Sequence, residues 1–134
     1  MGLEIGPLET SVAQALQVYS GPVALMSFNP HSVMRLAELL PDIPRGLVTS
    51  AYKPSVHLDA SVCDILRGIP DYERAACSFI SHEKDDLARP RVADLKADGA
   101  DILCWTVRSP EEEAQARQIA DNITFEQYLA PIAA

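Results

Sequence analysis

The sequence predicts an α/β fold with about five mostly parallel strands and flanking helices. Three observations predict it. Short apolar runs rich in β-formers alternate with stretches whose apolar residues recur every three or four positions. The best-bounded strand, residues 102–107, lies between two helix signals. Gly99 ends the helix before it, and Ser109-Pro110 opens the helix after it, with Glu112 three residues past the serine. The third observation is size: 134 residues, 48% of them hydrophobic, make one domain, 1–134, with a core of its own. Alternation of this kind argues for a parallel sheet covered by helices and joined by right-handed crossovers. An open α/β sheet and part of a (β/α)₈ barrel both fit that pattern.

The elements follow in order. Leu8, Val12, Ala15, Leu16 and Tyr19 fall at helical spacing, so residues 8–19 read as an amphipathic helix that Ser20-Gly21-Pro22 ends. Residues 23–28 form an apolar run suited to a strand buried on both faces. Asn29-Pro30 caps a second helix with Val33, Leu36, Ala37 and Leu40 on one face, and Pro41 stops it. Leu47-Val48-Thr49 is the second strand. Residues 58–66 fit a helix with Leu58, Val62, Ile65 and Leu66 turned inward. Residues 75–81 read as the third strand, and 82–86 as a polar connection. Pro90 opens a helix with Val92 and Leu95 inward, closed by Asp98-Gly99. The fourth strand comes next, then a helix over 110–119, a short strand at 122–125 and a terminal turn.

Charge and composition exclude several roles. The net charge is −8 and no basic run occurs, so a nucleic-acid partner and an anionic membrane surface are not expected. No apolar run reaches the roughly 18 residues of a membrane span. The amino terminus lacks the basic and apolar regions of a signal peptide. Cys63, Cys77 and Cys104 are widely spaced with no CxxC, and their spacing to His31, His57 and His82 fits no zinc site. They read as free thiols in a reducing compartment, and the expected location is cytoplasmic.

Four short motifs carry a resemblance. Met26-Ser27-Phe28-Asn29-Pro30 ends a strand as S-F-D-P with Asn for Asp. Pro41-Asp42-Ile43-Pro44-Arg45-Gly46-Leu47 is a P-x-I-x-x-G step. Gly99 followed by Cys104-Trp105-Thr106-Val107 is similar to G-x-x-V-x-x-W-T-V, and Asp121-Asn122-Ile123-Thr124 is similar to D-x-I-x-T-D but departs from it at Phe125. Together, in this order, they resemble the carboxyl-terminal part of the glycerophosphodiester phosphodiesterase family. The resemblance implies an incomplete TIM-type (β/α) barrel, strands four to eight.

Related enzymes hydrolyse a glycerophosphodiester to an alcohol and glycerol 3-phosphate, a step in lipid metabolism. They use a divalent cation, Mg²⁺ or Ca²⁺, with two histidines as acid and base. The family's H-R-G, an E-x-D paired with H-D, and the third-strand E-I-K are not found in this sequence; Glu4-Ile5 is followed by Gly6-Pro7 where the lysine is needed. The expectation is therefore no catalytic residue, no metal ligand and no cofactor in this chain, and no activity from it alone. A small phosphodiester becomes its partner only if the barrel is completed. The alternative is a non-catalytic half-barrel that self-associates through open sheet edges, giving a homodimer.

In (β/α)₈ proteins function gathers at the carboxyl ends of the strands. The resemblance makes Trp105, Phe28 and Ser27 the candidate pocket-lining, substrate-binding residues. Trp105 reads equally as a large core side chain whose N–H finds a partner. His82 with Glu83, Asp85 and Asp86 is the one acid/base cluster, but a single polar loop favours a solvated surface over a converging site. His31, His57 and Lys53 read as surface residues.

Overall fold

The computed structural model describes residues 4–55 and 58–132; His57 lies outside them. Five strands form one sheet: β1 (Leu25–Ser27), β2 (Arg45–Thr49), β3 (Phe79–Glu83), β4 (Asp101–Val107) and β5 (Asn122–Phe125). They lie side by side in chain order, every neighbouring pair parallel. The helices α1 (Pro7–Leu16), α2 (Pro30–Leu39), α3 (Ala60–Arg67), α4 (Asp71–Arg74), α5 (Pro90–Ala97) and α6 (Pro110–Ala116) fill the connections. The sheet curls into a half-barrel, an incomplete TIM-type barrel with β1 and β5 at its edges.

Helix ends follow local chemistry. The Asn29 side chain accepts the His31 N–H at 3.1 Å and starts α2. Ser109 accepts the Glu112 N–H at 3.2 Å, while Glu112 accepts the Arg108 N–H at 2.7 Å, and so starts α6. Gly99 adopts φ +98°, a left-handed conformation that lets the Ala100 N–H close back on Leu95 and end α5.

Register assigns the two faces of the sheet. Leu47, Ile80 and Ile102 are paired in one row, and Thr49, His82 and Cys104 in the row above. Both rows face the helices, where Val33, Val92, Leu95, Val107 and Ala116 complete a closely packed core. The intervening residues face the concave side: Gly46 beside Phe79, then Val48, Ser81 and Leu103, then Glu83 and Trp105. Gly46 is required there, since a Cβ would stand 2.4 Å from the Phe79 ring.

Three expectations are corrected. The third strand is Phe79–Glu83, four residues later than expected, with α4 before it. Its polar end is accommodated because His82 and Glu83 both find partners on neighbouring segments. In α3 the buried residue is Cys63, whereas Val62 and Ile65 are 39% and 63% exposed; the helix is rotated so that its narrow side meets the sheet. In α1 the buried residues are Glu9 and Ala13, and Leu8 is exposed. Sitting before the first edge strand, α1 leans on α2, and Glu9 accepts hydrogen bonds from the Ser32 hydroxyl and the Gly6 N–H.

At the amino-terminal end of β2, Arg45 is 9% exposed. Its guanidinium donates to the carbonyls of Leu40, Pro41, Ile43 and Ala76. The charge is thereby spread over the carbonyl-rich end of α2 and the turn before β3.

Candidate functional site

The carboxyl ends of the strands are joined by Trp105. From β4 its indole N–H reaches the carbonyls of Thr49 on β2 and Ser81 on β3, each at 3.1 Å. On the far side its ring meets Phe28 edge to face, with centroids 5.3 Å apart and planes at 85°. Trp105 and Phe28 therefore bridge the concave face from β4 to the end of β1. The Trp105–Thr106 peptide is cis. Trp105 is half-buried: its N–H is used twice, and its ring forms part of the concave wall.

Phe28 is 48% exposed on that wall. Ser27 stands apart from it. Its register partner is Leu47, which places it in the helix-facing row, and its hydroxyl accepts the Asn29 N–H at 3.0 Å. Ser27 thus lies on the helix-facing side of β1, while Phe28, just past the end of the strand, joins the wall. Beside Phe28, Thr49 and Tyr52 lies a cavity of about 20 Å³. That is room for a single water and not for a phosphodiester.

The loop after β2 is held from two sides. Glu83 accepts the Ala51 N–H at 2.9 Å, and Arg67 donates to the Ala51 and Tyr52 carbonyls, each at 2.9 Å. Tyr52 adopts φ +45° within this clamp, and burial pushes its phenol up to about 12, so it stays protonated. Lys53, next along, is exposed.

His82 is the residue that sequence reasoning misplaced most. It is 0% exposed, on the helix-facing side of β3. Nδ1 lies 2.7 Å from the Thr49 hydroxyl and Nε2 lies 3.0 Å from the Asp86 carboxylate. Arg89 forks onto the same carboxylate at 2.5 and 3.0 Å. Burial holds the His82 pKa below its usual 6.5, against the pull of Asp86. Hydrogen bonds from Arg89 and His82 hold Asp86 below the usual carboxylate range, although burial, the largest influence, works the other way. The spacing of His82 and Asp86, four residues apart, was visible in the sequence; the Thr49 contact from another strand was not.

Cys63 and Cys104 are buried free thiols, and Cys77 is half-buried and free. Burial pushes the Cys77 and Cys104 thiols up to about 11. Such thiols are poor nucleophiles at neutral pH. Among the described residues, no group of three His, Cys, Asp or Glu side chains converges as a metal-binding set. Also among them, no helix is long and apolar enough to cross a membrane.

The geometry defines a class first: a parallel half-barrel whose carboxyl-terminal pole carries an aromatic wall. The family follows from comparison. Residues 9–124 match the glycerophosphoryl diester phosphodiesterase family, and the chain belongs to it. Solved structures share the fold. A protein assigned as a glycerophosphoryl diester phosphodiesterase from Agrobacterium tumefaciens superposes with a TM-score of 0.70 at 21% identity, over 92% of this chain and 49% of that one. A phosphodiesterase from Oleispira antarctica, solved with the product sn-glycerol-3-phosphate, gives 0.64 at 19% identity, over 87% and 44%. A glycerophosphodiester phosphodiesterase from Parabacteroides distasonis gives 0.59 at 17%, over 88% and 44%. The chain thus spans about half the length of these structures or less. No curated protein matches it.

Proposed function

We propose that this chain is the carboxyl-terminal half of a phosphodiesterase barrel. In this reading it supplies one wall of the substrate pocket and leaves the bond-breaking residues to the other half. The observation that supports it best is the family match across five parallel strands whose concave face carries the Trp105–Phe28 wall. A complete barrel of this kind cleaves a glycerophosphodiester released in lipid breakdown, with Mg²⁺ or Ca²⁺ held by the half that carries the acidic ligands. Trp105 and Phe28 offer apolar surface against the uncharged part of such a substrate. The three free thiols agree with a cytoplasmic location.

Glycerophosphocholine hydrolysis tests this reading. The 134-residue chain is expected to show no turnover above blank with either cation. Co-expression with a family amino-terminal half that carries H-R-G and E-x-D is expected to yield turnover that EDTA abolishes. Robust, EDTA-sensitive turnover by the chain alone overturns the assignment of roles.

A specific observation favours a second reading, self-association. At the two sheet edges Met26, Phe28 and Phe125 are 47%, 48% and 42% exposed. Open edges with apolar side chains favour pairing. Sedimentation velocity at micromolar concentration is expected to find a homodimer; a compact monomer there sinks this reading.

A further inference from the structure

We propose that His82 is a positioning residue, whose protonation state sets the carboxyl-terminal end of β2 and, through it, the Trp105 wall. The importance of that wall for substrate rests on the phosphodiesterase reading; the link from His82 to Trp105 does not. Three contacts meet at the end of β2. The Thr49 side chain meets His82, the Thr49 carbonyl receives the Trp105 indole, and the Ala51 N–H is held by Glu83. One residue, Thr49, therefore touches the buried histidine with its hydroxyl and the concave wall with its backbone.

Proton positions follow from the partners. Asp86, paired with Arg89, is a carboxylate that can only accept, so the Nε2 of His82 carries the hydrogen. Neutral His82 then presents a lone pair at Nδ1, and the Thr49 hydroxyl donates to it. Adding a proton at Nδ1 reverses that bond. The Thr49 hydroxyl hydrogen then loses its acceptor at a site only 3% exposed, with no other hydrogen bond to that hydroxyl among the described residues. A buried hydroxyl without an acceptor is costly, so the end of β2 shifts to relieve it. The Trp105 N–H is tied to that same residue.

The charged and titratable groups around the ring are few. Asp86 faces it from the turn after β3, and Arg89 stands behind Asp86. Glu83 is the next residue on the same strand and favours protonation, whereas Arg89 opposes it. From β4 its register partner is Cys104, whose thiol is neutral. From β2 its register partner is Thr49, whose side chain carries no charge. The sign for stability follows. An unfolded histidine takes up its proton near 6.5, and folded His82 only at lower pH. As pH falls below 6.5 the unfolded chain binds more protons, so stability declines across that window.

Trp105 is the protein's only tryptophan, so its fluorescence reports this wall alone. The test follows the His82 ring protons by NMR and Trp105 emission from pH 8 to 5, with far-UV circular dichroism as the check on folding. Emission is expected to change with the same midpoint as His82, below 6.5, while the circular dichroism holds. In Thr49→Val, which keeps the side-chain shape and removes the hydroxyl, the emission change is expected to shrink because the link from His82 to β2 is lost. In His82→Gln the emission change disappears. Flat emission while His82 titrates, or an unchanged transition in His82→Gln, overturns the proposal. If unfolding intervenes first, urea midpoints between pH 8 and 6 decide: they fall in the native chain and less steeply in His82→Gln, and equal slopes overturn it. None of these readouts uses phosphodiester hydrolysis, so failure of the phosphodiesterase reading leaves the result interpretable.

Discussion

Arg45→Ala is expected to destabilise the fold by about 3 kcal/mol. The guanidinium donates to four backbone carbonyls that come from the end of α2, the loop to β2 and the turn before β3. Arg45 is buried, so few waters can replace it there. Removal orphans several acceptors at once, and the cost of unsatisfied groups outweighs that of losing one exposed charge. Arg45→Lys keeps the charge but lacks the planar fork, and is expected to recover less than half of the loss. Urea denaturation read as the shift in midpoint at constant slope measures both variants. A midpoint for Arg45→Ala within error of the native chain rules out this role.

Trp105→Ala is expected to cost about 3 kcal/mol, a value reduced from the full core range because the ring is half-exposed. The change removes the Phe28 contact and leaves the Thr49 and Ser81 carbonyls without their shared donor. It also opens the concave face over Ser81, whose buried hydroxyl has no hydrogen-bond partner among the described residues. Trp105→Phe separates the two contributions. It keeps most of the ring and loses the N–H, and is expected to cost about 1 kcal/mol. On the proposed role of the wall in holding substrate, Trp105→Phe in a completed barrel is expected to raise KM with little change in kcat. Equal stability of Trp105→Phe and Trp105→Ala rules out a packing contribution from the ring.

The β4 strand shows why much of the architecture was legible. Gly99 needs a positive φ, and Ser109, Pro110 and Glu112 supply a cap, so both boundaries are set by residues within one turn of the event. The same local logic placed α2 behind Asn29. The site was legible only in part. Phe28 and Trp105 were singled out and do meet, 77 positions apart in the chain but 5.3 Å apart between ring centroids. Ser27 was grouped with them, and a single step of register turned it to the opposite face. His82 and Glu83 looked like loop residues because polar side chains at the end of an apolar run normally face water.

The alternation of helices and strands, the parallel class and the family were therefore written in the sequence by itself. Capping residues and apolar periodicity act over a few positions, and the four motifs keep their order along the chain. The tertiary structure alone decided which face each residue occupies and which distant groups meet. Thr49, His82 and Asp86 come together because two strands pair in one register. Arg45 and Trp105 likewise satisfy carbonyls that no local pattern could assign to them. Burial makes those pairings necessary: away from water, a polar group must find a partner wherever the fold brings one.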